Sequence, residues 1–93
     1  MMETLVAQIH YNNNLWHITQ ELGEAKAAKF FKLRKSLLQN ELLRNHSDCV
    51  YLDKDKEGPN ESADNIFVIR LKDGGDACHI PLGEIDIENR NLL

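Results

Sequence analysis

Proline, cysteine and aromatic residues are scarce in this chain, and each scarcity excludes something. Two prolines, Pro59 and Pro81, leave residues 22–45 uninterrupted. Two cysteines, Cys49 and Cys78, in 93 residues cannot build a disulfide framework, so a reduced, cytoplasmic setting is expected. Apolar runs are short, as at residues 66–69, whereas a membrane helix needs ~18 apolar residues in a row. Residues 1–10 lack the basic-then-apolar order of a signal peptide, and no membrane association is expected. Positive charge is not in excess either. The chain carries 11 Lys+Arg against 15 Asp+Glu, a formal net charge of -4. A collagenous, disulfide-dense, strongly basic or membrane-spanning protein is excluded. At this length, residues 1–93 form a single small domain that buries roughly 60% of its unfolded surface.

What charge there is lies unevenly. Residues 1–23 hold two acids and no Lys or Arg. Residues 24–46 hold six bases (Lys26, Lys29, Lys32, Arg34, Lys35, Arg44) against Glu24 and Glu41. Residues 47–93 hold five bases and eleven acids. A basic helix beside an acidic remainder can neutralise it, or can meet an acidic partner or phosphates.

Alternation of Leu5, Ala7, Ile9 and Tyr11 predicts a strand over residues 4–11. With a turn at Asn13-Asn14, a second strand over 15–20 sets Tyr11 against Trp16, Ile9 against Ile18 and His10 against His17. Residues 22–45 are rich in Ala, Lys, Leu, Gln and Glu and predict one long helix. At 100° per residue Ala27, Phe30, Phe31, Leu33, Leu37, Leu38 and Leu42 form a broad stripe, opposite Lys29, Lys32, Lys35, Ser36 and Gln39. Arg34 and Glu41 fall inside that stripe, and Ala28 and Leu43 widen the apolar arc beyond what one sheet needs. The excess is a sign of self-association. Residues 49–52 predict a short strand, residues 53–64 a mobile acidic loop, and residues 84–93 either a final strand, from the Ile85/Ile87 alternation, or a loose tail. Around Gly74-Gly75 a hairpin pairs Leu71 with Cys78, Ile69 with Ile80 and Phe67 with Leu82. The expected fold is α+β: an antiparallel sheet of about five strands, order ββ-α-β-ββ, with one long helix packed across it. Its core is expected to hold Leu5, Ile9, Ile18, Phe30, Leu33, Leu37, Val50, Phe67, Ile69, Leu71, Ile80 and Leu82.

Few residues suggest chemistry. Asp53, Asp55, Glu57, Gly58, Glu61 and Asp64 stand at the spacing of an EF-hand calcium loop. Asn60 replaces the aliphatic residue at position 8, Asp64 replaces the bidentate Glu, and Pro59 follows the glycine, so a solvated acidic loop is the plainer reading. His10 and His17, facing each other across the first hairpin, could share zinc but lack a third ligand on that face. Cys78 and His79 are neighbours on a strand and point to opposite faces, so they make no nucleophile–base pair. No cofactor and no catalysis are expected. The expectation is a small cytoplasmic protein–protein interaction or regulatory module, adaptor-, inhibitor- or antitoxin-like, forming a homodimer. Its interaction residues are Lys26, Lys29, Lys32, Lys35, Arg34, Glu41 and Leu43. The alternative is a nucleic-acid-binding regulator using Lys26, Lys29, Lys32 and Lys35, and a weaker one is divalent-metal binding.

Overall fold

The computed structural model describes residues 1–54 and 66–93. The first 21 residues are not a hairpin. They form helix α1, Met2–Glu21. Leu5, Ile9, Asn12, Trp16 and Thr19 recur at alternating steps of four and three residues, which is helical spacing. Four of these are buried, and Trp16 is partly so. The period-two pattern that suggested a strand was already broken by Val6, which packs against the core. Asn12 is held within the helix rather than in a turn, its amide donating to the Gln8 carbonyl at 2.8 Å. Thr19 likewise donates to the Leu15 carbonyl at 2.8 Å.

Helix α1 stops at Gly23, where φ is 75°. The Gly23 N–H donates to the Gln20 carbonyl and the Glu24 N–H to the Thr19 carbonyl, at 3.1 and 2.9 Å. This is the Schellman arrangement, and it needs a residue that accepts the left-handed region. Helix α2, Ala25–Asn45, follows at once and packs along α1 as a helical hairpin.

Three strands complete the fold: β1 (Val50–Lys54), β2 (Ile66–Leu71) and β3 (Asp76–Pro81), an antiparallel meander in that order. The element order is therefore α-α-β-β-β. Two helices and three strands replace the expected five strands and single long helix. The second hairpin forms, but its register is shifted. Phe67 pairs with Ile80, Val68 with His79 and Arg70 with Asp76. The loop closes earlier than a two-residue turn would, with the Leu71 N–H donating to the Gly75 carbonyl at 3.0 Å. Gly74 and Gly75 both have positive φ, 103° and 96°. A three-residue loop with a glycine bulge uses them as well as the two-residue turn would. A second irregularity lies between Val68 and Arg70, where Ala77 and Cys78 oppose Ile69 alone.

The core gathers Leu5, Ile9, Leu42, Leu43, Val50, Ile69, Ala77, Ile80 and Ile85. Phe67, Leu71 and Leu82 pack against it partly buried. Four expected core residues are outside it: Ile18, Phe30, Leu33 and Leu37 remain 52–60% exposed. Leu43, expected at an interaction surface, is fully buried. The segment expected to be a final strand or a loose tail is neither, and it is docked. It forms two 3-10 turns, Leu82–Glu84 and Ile87–Leu92, with Ile85 and Asn89 buried.

Candidate interaction face

Helix α2 buries four polar side chains beside Ala28, Leu42 and Leu43. Lys35, Ser36, Gln39 and Asn40 are all buried. The reason lies in what they meet. Strand β3 ends and the 3-10 turns begin opposite this face, and irregular backbone buried there needs donors. Gln39 Nε2 donates to the Cys78 carbonyl at 2.5 Å and also reaches the His79 carbonyl. Asn40 Nδ2 donates to the carbonyls of Ser36 and Glu84 at 3.0 and 2.8 Å. Asn40 Oδ1 accepts from the Asp86 N–H and from Asn89 Nδ2, at 3.0 and 3.2 Å. Ser36 Oγ donates to the Glu84 carboxylate at 2.6 Å.

The consequence appears on the opposite face. Phe30, Leu33 and Leu37, spaced i, i+3, i+7, point outward with exposures of 55%, 60% and 60%. Lys26, Arg34 and Glu41 flank this row and are exposed. Among the described residues none of the three makes an ion pair. Beside the row runs a groove of about 430 Å³, lined by Leu33, Leu37 and Lys29 on one wall and by Glu84 and Asp86 on the other. Helix α1 exposes a row of its own, Tyr11, Ile18 and Leu22.

The four lysines do not form one open stripe. Lys32 pairs with Glu84 at 3.2 Å and lies 5.5 Å from the Trp16 ring centre. Lys35 is buried with its ammonium 4.9 Å from the same ring centre. Burial lowers its pKa, Cys78 and Glu84 act the other way, and Lys32 adds to the lowering. Lys26 and Lys29 remain exposed.

The histidines are rearranged too. On α1, His10 and His17 lie two turns apart, about 10 Å along the axis, and do not face each other. His17 sits against Trp16 with ring centres 4.7 Å apart. His10 instead meets Cys78, a contact with no local signal in the sequence. Its Nδ1 is 3.2 Å from Cys78 Sγ, and its Nε2 is 3.1 Å from the Asp76 carbonyl. With Nε2–H donating to that carbonyl, Nδ1 accepts from the thiol. The pair opens on a groove of about 490 Å³ that Trp16, His17 and Lys35 also line. Burial pushes the Cys78 thiol up, against the opposing pull of Lys35. Asp53 is in β1, where Arg70 Nε donates to it at 2.8 Å. Asp55, Glu57, Glu61 and Asp64 lie outside the described residues, and the calcium-loop reading with them. Among the described residues no three His, Cys, Asp or Glu side chains cluster to hold a metal ion. Also among these residues, no helix is long and apolar enough to cross a membrane.

Compared with protein-family models, with curated proteins and with solved structures, the chain finds no match.

Proposed function

We propose that this chain is a small interaction module that acts by binding another protein rather than by catalysis. Its working surface is the outer face of α2. The observation that carries the reading is the exposure of Phe30, Leu33 and Leu37 on a helix that buries Lys35, Ser36, Gln39 and Asn40 beside Leu42 and Leu43. Removing such side chains from water is favourable by ~1.5–3 kcal/mol each, and a contiguous row of them left in solvent is the signature of an interface. The two free cysteines fit a reducing compartment such as the cytoplasm.

The test is a tagged pull-down from lysate with and without nuclease, comparing wild type with Leu33→Asp/Leu37→Asp. Both leucines are exposed, so the double variant is expected to fold. The expected result is a protein partner held by wild type and lost by the variant. Partners retained equally by both would refute the reading. So would recovery of nucleic acid alone, abolished by Lys26→Glu/Lys29→Glu.

A further inference from the structure

We infer that the partner is a second copy of this chain, packed antiparallel along α2 about a two-fold axis between Leu33 and Arg34. The inference rests on the interaction-face reading and specifies its occupant.

The apolar row fixes the register. Phe30, Leu33 and Leu37 centre on the gap between residues 33 and 34. A two-fold axis there brings the two rows into the fullest overlap. Phe30 then lies over Leu37 of the other copy, Leu37 over Phe30, and each Leu33 lies over the other copy's Arg34, one residue from its own mate beside the axis. Residue positions opposed in this arrangement sum to 67. Each Phe30 reaches the groove beside the other copy's Leu37, whose far wall is Glu84 and Asp86.

Charge then provides an independent check, because it played no part in choosing the register. Position 26 opposes position 41. Lys26 of each copy meets Glu41 of the other, twice per dimer, at the two ends of a contact about 22 Å long. Both side chains are exposed and make no ion pair within the chain among the described residues. A parallel arrangement would oppose Lys26 to Lys26 and Glu41 to Glu41. The antiparallel one is self-complementary, as an isologous interface must be. One like-charge contact accompanies it, since Arg34 falls beside its own mate near the axis.

The experiment is analytical ultracentrifugation of the full chain and its charge-reversal variants. Wild type is expected to dimerise with a dissociation constant in roughly the micromolar range, as befits a small interface. Lys26→Glu alone and Glu41→Lys alone should each weaken the dimer about tenfold, because each turns two attractive pairs repulsive. The double variant Lys26→Glu/Glu41→Lys should recover wild-type affinity. So should an equimolar mixture of the two single variants. Leu33→Asp/Leu37→Asp should be monomeric, with unchanged circular dichroism confirming that it folds.

A wild-type chain that stays monomeric at the highest soluble concentration overturns the second copy as occupant. If the leucine variant still loses a lysate partner in that case, the interaction face itself stands. A dimer that survives the leucine substitutions overturns the α2 seam. Charge reversals that weaken the dimer without mutual rescue overturn the register.

Discussion

Single side chains decide how α2 sits. Gln39 is fully buried, with its amide nitrogen on two carbonyls and, among the described residues, no partner for its Oε1. Gln39→Glu would aim a carboxylate at those carbonyls and should cost ~3 kcal/mol or more, read by urea denaturation. Lys35 is the other costly inward residue. Its buried ammonium loses its proton more easily in the folded chain than in the unfolded one. Between the lowered folded value and the ordinary one near 10.5, the unfolded chain therefore binds more protons. Stability should rise with pH across that window and level off above it. Lys35→Met should flatten this limb and gain about 1 kcal/mol at neutral pH, since the thioether keeps the packing on Trp16 without a charge to bury. A further consequence concerns Cys78, whose thiol is pushed up by burial. Its iodoacetamide labelling at neutral pH should be slower than that of an unperturbed thiol and should accelerate only at a pH above the ordinary thiol range.

At the scale of elements, two joints hold the fold. Gly23 ends α1 at a positive φ with open space around its missing Cβ. Gly23→Ala therefore pays backbone strain alone, about 1 kcal/mol, visible as a lowered melting temperature. Asn40 is the second joint, tying α2 to the Glu84 carbonyl, the Asp86 N–H and Asn89. Asn40→Asp keeps the acceptor and removes the donor, leaving a carboxylate against the Glu84 carbonyl. The cost should be ~2–3 kcal/mol, and amide exchange should rise most in residues 82–92, which would undock first.

For the whole molecule, inward and outward leucines should part company. Leu42 is fully buried and Leu37 is 60% exposed. Measured on dilute, monomeric chain, Leu42→Ala should cost ~2–5 kcal/mol and Leu37→Asp should stay within about 0.5 kcal/mol of wild type. At concentrations where the chain self-associates, the order of effects on the dimer should reverse. Arg34→Gln removes the like-charge contact at the axis and should tighten the dimer about threefold by sedimentation.

Local sequence determined helix α2, because residues 25–45 carry strong helix formers and no proline. It also determined the pairing of β2 with β3, since Gly74-Gly75 between two apolar runs admits little else. The widening of the apolar arc on α2 misled, since Ala28 and Leu43, which widen it, are buried, while Arg34 and Glu41 are exposed. Helix α1 was legible in principle. The steps from Leu5 to Thr19 are helical, but three consecutive asparagines and a short alternation imitate a hairpin, and Asn12 finds its partner inside the helix. The inward face of α2 could not be read from the chain. Apolar periodicity points Phe30, Leu33 and Leu37 at the core, and only the folded molecule shows partly buried backbone carbonyls of Cys78 and Glu84 facing the helix. Those carbonyls require donors once water is excluded, and Gln39 and Asn40 supply them. The helix thus turns its amides inward and leaves its hydrophobic row outside.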